Sequence, residues 1–173
     1  MSGTSRTAGP RRSPDVTLPP FQRVLDEHRD DVHRFLMATA GPNEADDAFQ
    51  ETFIAALRAY PRLRPDSNVR GWLLTIAHRK AIDAHRARGR RAVPVAEMDR
   101  GGADDPALRS AGAEPELWAR VRALPPKQRA AVVCRFVLDL SHAEAAEVIG
   151  CSEEAARRSL HEALSKLRKD GMP

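Results

Sequence analysis

From Asn68 to Arg91 the chain reads NVRGWLLTIAHRKAIDAHRARGRR. Apolar residues recur in it every three or four positions, a repeat that only an α-helix turns into a continuous face. At about 100° per residue, Val69, Trp72, Leu73, Ile76, Ala77 and Ala84 gather on one side. Thr75, His78, Arg79, Ile82, His85 and Arg86 gather on the other, with Arg79 above Arg86 and His78 above His85. One side anchors the helix in a domain; the other is held out to something acidic. Beyond Ala87 the apolar stripe stops, while Arg88, Arg90 and Arg91 carry the charge on.

The same period recurs upstream. Phe21 to about Met37 forms a first helix with Phe21, Leu25, Val32, Phe35 and Leu36 inward, and Gly41-Pro42-Asn43 breaks it. A second helix runs from about Glu44 to Tyr60, where Pro61 ends it. Ala45, Ala48, Phe49, Thr52, Phe53, Ala56 and Tyr60 form its inward stripe. Asp47, Gln50, Glu51 and Arg58 lie opposite, with Asp46 beside them. Acid in the first turns complements the helix dipole, or it offers a docking surface to a basic protein helix. Residue types alone leave both readings open. The loop PRLRPDSN follows, and Asn68 or Ser67 caps the third helix.

Charge is strongly segregated. The formal net charge is +4, but residues 58–91 hold ten basic and two acidic residues, a net +8. Such a block is the footprint expected for a polyanion, against the plainer reading of a solvated basic face. Residues 1–20, rich in Pro, Ser, Gly and Arg, read as a disordered arm, and residues 92–115 as a flexible acidic linker.

Several function classes fall away. Cys134 and Cys151 make no disulfide framework and suit a reducing cytoplasm. No apolar stretch approaches the roughly 20 residues of a membrane span. His78, His85, His142, His161 and the two cysteines lack the tight paired spacing of a zinc site, so no metal is expected. Without a glycine-rich phosphate cradle or a nucleophile elbow, neither an enzyme nor a cofactor is expected.

From Glu116 a second helical unit begins. Leu117, Val121 and Leu124 precede Pro125-Pro126, and KQRAAVVCRFVLDL makes the next helix. SHAE at 141–144 is a capping-box pattern that opens a short helix to Ile149, which Gly150 ends. Ser152 caps a longer helix with Ala156, Leu160, Ala163, Leu164 and Leu167 inward. It presents Glu154, Arg158, His161, Glu162 and Ser165 outward, with Arg157 on the flank. A short helix, a Gly turn and a longer helix is the helix-turn-helix plan.

Together these segments resemble a bacterial RNA polymerase sigma factor of the extracytoplasmic-function (group IV, sigma-70 family) class. DDAFQETFIAALRAY resembles the polymerase-gripping helix, and NVRGWLLTIAHRKAIDAHR the helix that meets the minus-ten element. ALPPKQRAAVVCRFVLDLSHAEAAEVIGCSEEAARRSLHEALSKLR resembles the helix-turn-helix that reads the minus-thirty-five element. The resemblance implies that Asp46, Asp47, Gln50 and Glu51 dock on the beta-prime clamp helices of the core enzyme, with the beta flap as a further contact. It implies that the loop Leu63, Arg64, Pro65, Asp66, Ser67 and Asn68 captures an unstacked base. Thr75, His78, Arg79, Ile82 and Arg86 would meet minus-ten DNA. Ser152, Glu154, Arg157, Arg158, His161 and Glu162 would meet the minus-thirty-five duplex. The chain departs from the family pattern at His78-Arg79, where Arg-Asn is frequent, and at Ala155-Ala156, where Thr-Val is common. Ser159 and Glu162 stand where basic residues are frequent.

The expected architecture is all-α: two small helical domains, residues 21–91 and 116–173, on a flexible acidic linker, the second a helix-turn-helix. The expected function is a non-enzymatic, cytoplasmic initiation factor. Its partners are polymerase core, promoter DNA both duplex and single-stranded, and an anti-sigma protein as a candidate, with no membrane insertion. Two alternatives stand beside it: a stand-alone helix-turn-helix regulator, and a helical adaptor whose basic face binds an acidic protein.

Overall fold

A computed structural model describes residues 17–91 and 115–169. Among the described residues seven α-helices form two units, and no strand occurs. The first unit holds α1 (Phe21–Thr39), α2 (Pro42–Ala59), a 3-10 turn (Tyr60–Arg62) and α3 (Val69–Arg91). The second holds α4 (Pro115–Ala123), α5 (Pro126–Phe136), α6 (His142–Ile149) and α7 (Glu153–Lys169). The expected linker lies almost wholly outside the described residues, as does the arm up to residue 16.

Local chemistry places most of the helix ends. Gly41 takes φ 94°, a conformation that side-chain-bearing residues avoid, and with Ala40 it separates α1 from α2. Pro42, expected within the break, instead begins α2, where its missing N–H removes no helical bond. Pro126 starts α5 in the same way. The capping box at Ser141 and Glu144 is formed, with bonds of 3.2 Å and 2.8 Å. Gly150 closes α6 at φ 74°, donating to the Ala146 carbonyl. The end of the expected arm is held, because the Tyr60 hydroxyl donates to the Pro19 carbonyl.

In the first unit α1, α2 and α3 pack pairwise around Phe35, Leu36 and Leu73, all fully buried. The two buried threonines cost little, since each hydroxyl donates to the carbonyl four residues back: Thr39 to Phe35 at 2.7 Å, Thr52 to Ala48 at 2.6 Å. In the second unit α5, α6 and α7 pack around Val133, Cys134 and Ala163, with Trp118 of α4 buried beside them. Burial pushes the Cys134 thiol up to about 12, so it is inert.

The units also pack on each other. α4 and α5 lie against α1, and α6 lies against α3. Buried residues of both units join in one continuous cluster. This second contact widens the buried side of α3: Leu74, His78 and Ala81 are buried along with Leu73 and Ala77.

Candidate polymerase and nucleic-acid interface

The exposed side of α2 carries Asp46, Asp47, Gln50 and Glu51, all solvent-facing as expected. Asp46 lies 3.6 Å from the His33 ring, and Glu51 accepts from Lys80 of α3 at 3.1 Å. Ile54 and Leu57 continue the same face at half exposure. Sequence reasoning assigned neither, although both fall outside the inward stripe at helical spacing from Gln50. An open groove of about 450 Å³ runs beside this face between α2 and α3, with Asp47 and Glu51 on one wall and Lys80 and Arg88 on the other. The surface thus joins acid to exposed aliphatic carbon, a composition suited to a basic helix with an apolar stripe.

The loop ahead of α3 is ordered by its own side chains. Arg64 forks onto Asp66 at 3.1 and 2.7 Å, and Ser67 N–H donates to the Arg64 carbonyl. Asn68, not Ser67, is the cap: its Oδ1 accepts from Gly71 N–H at 3.0 Å. A Cβ on Gly71 would meet the Asn68 amide at 3.0 Å, so the cap relies on the missing side chain. The Arg64–Asp66 pair is exposed and therefore weak, leaving Arg64 available to phosphate. Leu63 is half-buried at the start of the loop.

On α3 the structure divides the expected DNA face in two. Arg79 and Arg86 are exposed, with no ion-pair partner among the described residues. His78, expected outward, is only 4% exposed and stands edge-on to Phe35 at 6.2 Å. The correction has a plain cause: α5 covers the position that a helical wheel leaves open. Thr75 and Ile82 are half-buried on the same side, and Thr75 Oγ1 donates back to the Gly71 carbonyl at 2.8 Å.

Burial, with Lys127 and Arg79 adding repulsion, lowers the His78 pKa to about 4. The folded protein therefore holds His78 neutral where the unfolded chain, near 6.5, would protonate it. The stability this contributes is full above pH 6.5 and is lost as pH falls towards 4, up to about 3 kcal/mol. Urea midpoints measured from pH 7 to 4.5 are expected to fall less steeply for His78→Gln than for the parent. Equal slopes would assign the acid sensitivity to other groups.

On α7, Ser152 caps through Ala155 N–H at 3.2 Å. Arg158 pairs with Glu154 at 3.1 Å and Arg157 with Glu153, both one turn back and exposed, so either pair parts at small cost. His161 is exposed. Glu162, expected at DNA, accepts from the Gln128 amide of α5 at 2.8 Å, and Lys166 donates to the same amide's oxygen at 3.0 Å. Glu162 thereby braces α7 on α5. No group of His, Cys, Asp and Glu able to hold a metal occurs among the described residues.

Two family models match the chain in the order of its two units. Sigma-70 region 2 spans residues 24–91, and Sigma-70, region 4 spans residues 115–167. The ECF RNA polymerase sigma factor SigD of Mycobacterium bovis is 33% identical over 161 residues, covering 87% of this chain and 76% of that protein. The chain is an extracytoplasmic-function sigma factor of the sigma-70 family. The ECF sigma factor SigX of Bacillus subtilis is 28% identical over 160 residues, covering 86% of the chain and 82% of that protein. The fold is shared with the sigma factor RpoE of Bartonella quintana, solved with the anti-sigma factor NepR: TM-score 0.65, 20% identity, 86% of this chain and 94% of that one.

Membership decides between the readings left open above. The sigma factor directs RNA polymerase to promoters and binds promoter DNA; it is not a stand-alone regulator. Sigma factors are initiation factors rather than enzymes. Among the described residues no helix is long and apolar enough to cross a membrane.

Proposed function

We propose that residues 21–91 form the polymerase-docking and promoter-melting domain and residues 116–173 the upstream-recognition domain, on a tether at 92–115. The reading is carried by one observation: α2 offers acid and exposed aliphatics on one face, while Arg79 and Arg86 of the adjoining α3 stand exposed without partners among the described residues. Asp46, Asp47, Gln50 and Glu51 grip the clamp helices of core, with Ile54 and Leu57 completing the contact. Arg79 and Arg86 track backbone phosphate, which positions a strand without reading its sequence. The loop from Leu63 to Asn68 receives an unstacked base, and phosphate contacts offset the few kcal/mol that unstacking costs. The protein performs no catalysis of its own, acts in the cytoplasm, and is a candidate for restraint by an anti-sigma protein.

Arg158 reads a base edge in the upstream duplex; Arg157, its neighbour, turns to the backbone, because adjacent side chains on a helix cannot share one groove edge. Run-off transcription with purified core and a set of promoter fragments tests both levels. The sigma factor is expected to start transcription on a subset of them. Arg158→Ala is expected to narrow the gap between matched and mismatched upstream elements by about 1–3 kcal/mol while core affinity stays unchanged. An unaltered promoter profile would remove Arg158 from that role. Duplex binding without core, and no transcription with it, would sink the reading as a whole.

A further inference from the structure

Tyr60 is tied into the molecule by both its ring and its hydroxyl. The ring meets Phe21 of α1 edge-on at 5.2 Å and Trp72 of α3 at 6.2 Å. The hydroxyl donates to the Pro19 carbonyl, 41 positions away. A core position needs only the ring. The hydroxyl goes further and pins residues 17–20, the short segment ahead of α1. Pro19 and Pro20 have no N–H, so their stretch of backbone can be held through its carbonyls alone. Its other end is fixed where the Pro20 carbonyl accepts from Arg23 and Val24 N–H at 3.0 and 3.3 Å. The two rings also restrict φ, so the segment is a stiff bar and pinning it costs little entropy.

The same tyrosine closes the loop that precedes α3. At the loop's start, Leu63 N–H donates to the Tyr60 carbonyl at 3.0 Å. At its end, Trp72 N–H donates to the Asn68 carbonyl at 2.9 Å. The two ends of Leu63–Asn68 thus hang on the backbones of two residues whose rings pack together. A shift of either ring moves the ends relative to each other. The loop's own bonds, Arg64 to Asp66 and Ser67 N–H to the Arg64 carbonyl, shape its tip and leave its width at the base to this pair.

We propose that Tyr60 is a positioning residue for base capture: pinned by Pro19 and wedged between Phe21 and Trp72, it sets the mouth of the loop that receives the unstacked base. The inference rests on the Leu63–Asn68 loop holding that base. Tyr60 itself touches no DNA; it acts through Leu63 and Trp72. A preset mouth admits the base without the loop having to be ordered first, which is where preorganisation strengthens binding. Loss of the pin returns the ordering cost to the binding step and leaves the phosphate contacts of Arg79 and Arg86 as they are.

Holoenzyme assembled from the full chain and purified core is titrated with fluorescent non-template oligonucleotides from a promoter active in run-off transcription. An abasic site is moved through the minus-ten element one nucleotide at a time. The parent is expected to lose about tenfold in affinity at the captured position. Tyr60→Phe keeps the ring and removes the pin. It is expected to bind the intact strand about two- to tenfold more weakly, and the strand abasic at that position as the parent does. Pro19→Gly loosens the bar from the other side and is expected to act in the same direction, with no further loss when added to Tyr60→Phe. An equal loss on intact and abasic strands would make Tyr60 a packing residue only and overturn the proposal, as would unchanged binding of the intact strand. Full additivity of the two substitutions overturns the part given to residues 17–20. A parent indifferent to every abasic position overturns base capture by the loop itself, and the role of Tyr60 with it.

Discussion

Reversing charge at Asp47 and Glu51 together, as Asp47→Arg with Glu51→Arg, is expected to abolish binding of the sigma factor to polymerase core. Both side chains stand in solvent on the free face of α2, so the change spares the packing beneath them. Among the described residues it breaks only the Glu51–Lys80 pair at 3.1 Å, whose acid is 62% exposed. Exposed pairs contribute about 1 kcal/mol or less to stability, and a thermal melt within a few degrees of the parent is expected. At an interface the same positions weigh more. Disrupting a charge pair that docking desolvates costs about 2–5 kcal/mol, and a like charge adds repulsion. Two such losses take a tight complex below detection in a gel-filtration or interferometry assay with core. Retained affinity would take the docking role away from this face. Ile54→Ser with Leu57→Ser, beside an intact acidic pair, would then show whether the aliphatic carbon alone holds the partner.

The second large effect lies on α3. Replacing both Arg79 and Arg86 with alanine is expected to slow open-complex formation and to flatten its dependence on salt. Each phosphate contact to a single strand releases condensed counterions worth a slope of about 0.7 in log K against log salt, and about 0.9 on duplex. Losing both contacts should therefore lower the slope by about 1.4 to 1.8, largely independent of promoter sequence. Neither arginine supports the fold: both are exposed, and neither has an ion-pair partner among the described residues. A salt series superimposable on the parent's would show that the strand runs elsewhere. A changed promoter preference at constant slope would mean that these arginines read bases rather than track phosphate.

What could be read from the chain follows from the range of the interactions involved. The capping box at Ser141 and Glu144, the left-handed Gly150 and the cap at Ser152 join residues three or four positions apart. Their signals therefore sit together in the sequence. The stripes of α2 and α7 were legible because each helix meets its own unit along one side, where a period of three and four is sufficient to mark the buried residues. The acidic face of α2 was visible as residue types, but its choice between dipole complement and docking surface was not.

α3 shows where such reading stops. A helical wheel identifies Thr75, His78 and Ile82 as pointing away from the core of their own unit, but solvent and a second folded body look alike from there. The contact that covers them is closed by Arg129 reaching Thr39, 90 positions away. No local pattern announces a bond of that span. Glu162 is similar: on the wheel it is an outward acid, and only the approach of Gln128 turns it into a brace. The sequence by itself determined the helices, most of their ends, their charge and the family to which they belong, because those rest on short-range geometry. The tertiary structure alone decided which of the outward residues are free to meet a partner, because the second unit reaches α3 from more than forty positions along the chain.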